Sequence, residues 1–157
     1  EEFRDINIKF LLVTTTNFDQ LKQLGIKGKR VFYRVAIREE IPKVQQSADI
    51  LFLPQTFEYY SELNVRTASP SKLPEYLAAG RPILVYAPAH SFYVKYAREH
   101  DFALIVDQKN PDLLSKGILE LYNNESLRKR LVANSRKVAL DFHDSEKVSN
   151  QLQDILL

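Results

Sequence analysis

The sequence predicts an α/β domain: a Rossmann-like three-layer fold with a parallel sheet and C-terminal helices. Three observations predict it. Strand-like and helix-like segments alternate from Ile6 to Val106, the pattern of right-handed βαβ units. The strand-like runs are continuously apolar rather than alternating, as in a sheet covered on both faces. Beyond Asn110 only helical patterns follow.

Each element has its own signal. Ile6–Thr14 is β-branched and apolar, which suits a strand, and Asp19–Leu24 is a short helix ended by Gly25. Arg30–Val35 is strand-like, and Arg38–Gln46 a polar helix closed by Ser47-Ala48-Asp49. Ile50–Leu53 is a short buried strand stopped by Pro54. Pro82–Tyr86 and Phe102–Val106 are two more buried strands, with Ser91–His100 as the helix between them. Asn110-Pro111 pairs a capping side chain with a proline suited to the first turn, so a helix runs from Pro111 to about Tyr122. Helices over Glu125–Phe142 and Ser145–Leu156 complete the chain. Val148, Leu152 and Ile155 share one face of the last helix, and core packing is the expectation for them.

Composition narrows the function classes. A chain of 157 residues with 45% hydrophobic and 27% charged residues is of a size and polarity to fold around one core, as a single domain. A net charge of +2 gives no field suited to nucleic acid, so no nucleic-acid partner is expected. The absence of cysteine removes disulfides, thiolate nucleophiles and cysteine metal sites, and agrees with a cytoplasmic address. An acidic start lacks the basic n-region of a signal peptide, and no apolar run reaches membrane-spanning length.

One segment concentrates the chemistry. Ligands of open parallel sheets bind beyond the carboxyl ends of the strands, where loops enter helices. The long connection from Pro54 to Pro70, with Phe57, Tyr59, Tyr60, Asn64 and Arg66, leads into Ser71-Lys72-Leu73-Pro74-Glu75-Tyr76-Leu77-Ala78-Ala79-Gly80. Ser71 is the expected helix cap, leaving the N–H groups of Lys72 and Leu73 for an anion, with Lys72 adding a full charge. Glu75 lies one position beyond a capping box. Its carboxylate either favours the helix dipole or accepts hydrogen bonds from a vicinal diol such as a ribose. Ala78-Ala79-Gly80 lets the helix lie close to the sheet, with Gly80 as a left-handed terminator.

The stretch from Ser71 to Leu84 (SKLPEYLAAGRPIL) resembles the signature of the C-terminal, donor-binding domain of family 4-like glycosyltransferases with the GT-B fold. Ala48–Pro54 is similar to the strand that precedes that signature. Phe102–Asp107, Asn110-Pro111 and Leu127–Asn134 are similar to the family's later elements. The resemblance implies one half of a two-domain enzyme that transfers a sugar from a nucleotide-diphosphate sugar to a glycan or lipid-linked acceptor, mostly with retention. It places the protein in the polysaccharide biosynthesis of a bacterium. It implies that Glu75 holds the ribose hydroxyls of the donor. Ser71, Lys72 and Leu73 meet the diphosphate or sugar, Thr67 and Ser69 lie in the stretch lining the sugar, and Arg34 and Val35 mark the base site. The donor is a substrate, no cofactor is implied and no metal is required.

Many relatives carry a second glutamate eight positions before the ribose-binding one, where this chain has Thr67. Nothing here matches the family's phosphate-binding Arg and Lys from an earlier βα segment. The expectation is a piece lacking its first βα unit and the N-terminal acceptor domain, and inactive as a transferase by itself. A nucleotide-sugar epimerase of the same fold and a non-catalytic nucleotide-sugar-binding module stay open as alternatives. A phospho-receiver lacks support, since Thr14-Thr15-Thr16 and Leu53-Pro54 stand where it needs acidic residues. His90, His100 and His143 are scattered and suit surface or packing roles. Phe57, Tyr59 and Tyr60 suit either local packing or contact with an acceptor domain. Arg128-Lys129-Arg130 with Arg136-Lys137 suits either a solvated helix face or peripheral contact with the inner membrane face.

Overall fold

A computed structural model describes residues 6–58 and 71–156, and within them the side chains of all but residues 151, 152 and 156. Thr67, Ser69 and the rest of 59–70 lie outside the described residues. The elements run β1 (Phe10–Val13), α1 (Phe18–Gln23), β2 (Val31–Arg34), a 3-10 turn (Arg38–Glu40), α2 (Ile41–Ser47) and β3 (Leu51–Pro54). They continue with α3 (Leu73–Ala78), β4 (Ile83–Tyr86), α4 (Phe92–His100), β5 (Ala103–Val106), α5 (Pro111–Asn123), α6 (Glu125–Phe142) and α7 (Ser145–Leu156). Two compact units form, Glu1–Lys43 and Val44–Leu157.

In the first unit β1 and β2 pair in parallel, from Phe10 opposite Val31 to Val13 opposite Arg34. The paired part of the first strand is shorter than Ile6–Thr14, because the ladder exists only where β2 runs alongside. Asn17 caps α1 by accepting from the Asp19 N–H at 2.8 Å. Phe18 packs edge-on against Tyr33, and the Tyr33 hydroxyl donates to the Ile26 carbonyl. Two-sided burial does not hold in this unit, where Leu11 and Phe32 are both 45% exposed. The expected helix over Arg38–Gln46 is divided: the Glu40 N–H bonds Ile37 in a 3-10 turn, and α2 begins at Ile41 with Pro42 in its first turn.

In the second unit β3, β4 and β5 form a parallel sheet with β4 central. Here the period-two alternation of side chains produces two cores. Leu51, Leu53, Ile83, Val85 and Ala103 face α3, α4 and α6, burying Leu73, Leu77, Val94, Ala97 and Val138. Leu84 and Val106 face the other way, with Leu121 of α5 and Leu131 of α6. Both faces are covered, which gives the three layers and explains the unbroken apolar runs.

Helix α5 approaches the sheet closely at Gly117. A Cβ there would lie 3.1 Å from Val106 Cγ2 and 3.3 Å from Leu104 Cδ2. Small residues at Ala78-Ala79-Gly80 were expected to let α3 lie close to the sheet, and Ala79 packs against the core cluster that includes Leu51 and Ile83. Gly80 also lies close to α6: a Cβ on it would meet the Arg136 guanidinium at 2.9 Å. Gly80 does terminate α3 in the left-handed region, with φ +71°. Buried Ser91 caps α4 by accepting from the Val94 N–H at 3.2 Å, and Asn110 caps α5 as expected. Core packing of the last helix is not observed. Val148 is 49% and Ile155 80% exposed, and the side chain of Leu152 lies outside the described residues. Periodicity shows which face of a helix is apolar, and covering that face takes a neighbour.

Candidate functional site

The connection leaving the carboxyl end of β3 enters α3, which returns the chain to the amino end of β4. The first turn of α3 is therefore its end toward the carboxyl edge of the sheet, the side on which such sheets bind ligands. Leu73 and Leu77 are fully buried on the sheet side and anchor the short helix, while Glu75 is exposed.

Glu75 accepts a hydrogen bond at Oε2 from Gln45 Nε2 of α2, at 3.0 Å. Its Oε1 carries no hydrogen bond among the described residues. Burial, and then the negative charge of Glu75, push the Tyr76 phenol above its ordinary pKa. Tyr76 packs against the core cluster and fixes the helix beside the carboxylate.

The expected cap is corrected here. Lys72 rather than Ser71 occupies the capping position, its backbone is already helical, and no side chain caps this end. Pro74 in the first turn contributes no N–H, so the helix starts without needing a cap at every donor. Ser71 and Lys72 are exposed. Leu73 has its side chain wholly in the core, which leaves only its backbone for a ligand.

In the first unit, Arg34 ends β2 and pairs with Glu40 at 3.4 Å, and Val35 follows it 70% exposed. A pocket of about 500 Å³ is lined by Phe18, Lys22, Lys27, Gly28, Val31, Phe32 and Tyr33. Its lining takes in three of the four residues of β2, Val31 to Tyr33, and the turn before them, but neither Arg34 nor Val35.

A model of the family described as glycosyl transferases group 1 matches residues 13–138. The chain belongs to that family. This group 1 glycosyl transferase chain is 21% identical over 137 residues to an uncharacterized glycosyltransferase of Methanocaldococcus jannaschii, covering 87% of this chain and 32% of that protein. It thus spans about a third of that relative's length. Among solved structures it is similar to WaaG, a glycosyltransferase involved in lipopolysaccharide biosynthesis. That match has a TM-score of 0.63 and 18% identity, over 94% of this chain and 37% of WaaG. It is also similar to the C-terminal domain of LpcC, a group 1 family glycosyl transferase from Francisella tularensis. There the TM-score is 0.55 and the identity 16%, over 81% of this chain and 60% of the other. The shared fold is the Rossmann-like α/β architecture of GT-B glycosyltransferases.

The remaining candidates of this family member fall into local roles. His143 Nε2 meets the Tyr96 hydroxyl at 3.1 Å, His100 packs edge-on against the Tyr96 ring, and His90 is exposed. Among the described residues, no group of three or more His, Asp and Glu side chains is placed to hold a metal ion. Arg128 Nη1 donates to the carbonyls of Leu121 and Tyr122, both at 2.6 Å, closing the end of α5. Lys129 pairs with Glu125 at 2.7 Å and Arg130 with Asp101 at 2.6 Å, so three charges of the basic stretch are engaged locally. No helix among the described residues is long and apolar enough to cross a membrane. Phe57 packs on Tyr86, with ring centroids 4.9 Å apart, while Tyr59 and Tyr60 lie outside the described residues. Two residues at the candidate site were not singled out from the sequence. They are Gln45, which bonds Glu75, and Arg81, whose Nε donates to the Gln46 carbonyl at 2.7 Å. A polar residue on a polar helix carries no local mark of a partner thirty positions away.

Proposed function

We propose that the chain is the donor-binding part of a glycosyltransferase that uses a nucleotide-diphosphate sugar, with Glu75 accepting hydrogen bonds from the donor's ribose hydroxyls. The observation that carries this is the exposed Glu75 carboxylate, held on one oxygen by Gln45 and without a hydrogen bond on the other among the described residues. A vicinal diol presents two donors about as far apart as the two oxygens of a carboxylate, which suits recognition of a ribose. Lys72 and Ser71, exposed one turn earlier, supply positive charge and a hydroxyl for the diphosphate.

Sugar transfer breaks the bond between the anomeric carbon and the diphosphate, leaving a nucleoside diphosphate whose negative charge grows as the bond breaks. A cation fixed beside the phosphates favours that charge more than it favours the intact donor, and this difference lowers the barrier. Lys72 is proposed for this role, Arg34 and Val35 for the base, and Thr67 and Ser69 for the sugar. The acceptor is proposed to bind a second domain outside these 157 residues, where the greater length of the relative leaves room for one.

Isothermal titration of the chain with UDP, GDP and ADP, and of Glu75→Ala with whichever binds, tests the proposal. Loss of hydrogen bonds to a charged acceptor is expected to weaken binding by about tenfold or more. Glu75 is exposed, so melting of the variant should stay close to that of the parent. A Glu75→Ala chain that binds as tightly as the parent refutes the ribose assignment.

A further inference from the structure

We infer that Gln45 is the positioning residue for Glu75, and that Arg81 holds the helix carrying Gln45. The inference rests on the ribose role proposed for Glu75 and adds what makes that role specific. A glutamate on an exposed helix face samples several rotamers, and a ligand that needs one of them bears the cost of selecting it. The amide of Gln45 removes much of that freedom by donating to Oε2 at 3.0 Å.

Gln45 can do this because it is itself restrained. It is half-buried on α2, next to Val44, which is buried. The turn after α2 is closed by the Ala48 N–H to the Gln45 carbonyl at 3.2 Å and by Ser47 Oγ to the Val44 carbonyl at 2.8 Å. Arg81, just past the end of α3, donates from Nε to the Gln46 carbonyl at 2.7 Å. Helices α2 and α3 are thus tied twice, once through the side chain that meets Glu75 and once through the backbone beside it.

The chemistry of the contact fits the role. A neutral amide donor orients a carboxylate without neutralising it, so the remaining lone pairs keep their full strength for a diol. A lysine in the same place would compete with the ligand for the charge.

The test compares two ligands on the 157-residue chain: UDP, and its 2′,3′-dideoxy analogue, which lacks the hydroxyls that Glu75 would hold. GDP or ADP and their dideoxy analogues replace these if the parent prefers another base. Gln45→Leu is expected to weaken binding of the ribonucleotide by about three- to tenfold while leaving the dideoxy analogue unchanged. Gln45→Glu keeps the size but sets two carboxylates face to face, and should weaken the ribonucleotide at least as much. On a Glu75→Ala background, Gln45→Leu should have no further effect, since the group it positions is gone. Equal weakening of both ligands would mean a merely structural role and would overturn the inference. If Gln45→Leu binds both like the parent while Glu75→Ala loses the ribonucleotide, Gln45 fails and the Glu75 assignment stands. If Glu75→Ala itself binds like the parent, or the parent binds none of the nucleotides, the underlying proposal falls first.

Discussion

Replacing Gly117 tests the geometry on which the second unit is built. The glycine lies on the buried side of α5, over Leu84 of β4 and Leu104 and Val106 of β5. A Cβ at this position would stand 3.1 Å from Val106 Cγ2, 3.3 Å from Leu104 Cδ2 and 3.5 Å from Leu84 Cδ1. Two opposing effects follow from Gly117→Ala. Loss of backbone freedom in the unfolded chain and better helix propensity favour the variant by about 0.8–1 kcal/mol. Against this, two methyl groups must each give way by a few tenths of an ångström in a close-packed layer. The net change for alanine should be small, within about 1 kcal/mol of the parent. Gly117→Val carries the same methyl and adds a second branch in the same gap, with less propensity gain. Overpacking of this kind costs about 1–3 kcal/mol. For a chain of this size that is a fall in Tm of about 2–4 °C per kcal/mol. Urea unfolding followed by far-UV circular dichroism reads both variants. A valine variant as stable as the parent would show that α5 does not lie this close to the sheet.

Two further outcomes follow from the same structure. Ser91→Ala removes a buried cap from α4 and should cost about 1 kcal/mol in urea unfolding, because the Val94 N–H loses its acceptor where water enters poorly; an unchanged midpoint would argue against the cap. Burial, and then the charge of His100, hold the His143 imidazole below its ordinary pKa, so the folded chain prefers it neutral and the unfolded chain binds more protons. Its contribution to stability is therefore complete above about pH 6.5 and lost as the pH falls through the lowered folded value. The drop in urea midpoint between pH 7.5 and pH 5 should be smaller in His143→Gln than in the parent, and an equal drop would remove the coupling.

The fold was legible where its signals are local. Asn110-Pro111 fixed the start of α5 because capping and proline geometry act within one turn, and the second helix of the tail runs from Glu125 to Phe142 as the periodicity predicts. The apolar runs at 50–53, 82–86 and 102–106 marked strands buried on both faces, and the two cores confirm them. Three features escaped because each depends on what lies opposite. Apolar character in β1 and β2 did not bring two-sided burial, since cover is supplied by neighbours and not by the strand. The apolar row of α7 was visible, but its exposure was not. The close approach of α5 to the sheet at Gly117 was not foreseen, because a lone glycine in an otherwise ordinary helical run carries no local mark of what lies opposite.

The candidate site divides along the same line. Glu75 stood out because a carboxylate one position beyond a capping box is locally odd and part of a resemblance. Ser71 looked like the cap by its residue type, but the chain is already helical at Lys72, and Pro74 has no N–H to be capped. Gln45 stood out in no way, because its meaning comes entirely from a partner on another helix. An exposed glutamate is ordinarily a weak ligand, since binding must first freeze it. If Glu75 holds a ribose as proposed, its hold depends on the amide the sequence does not advertise as well as on the residue it does. If that amide were absent, the carboxylate would keep its charge and place, and would lose the direction in which its second oxygen is proposed to meet a diol.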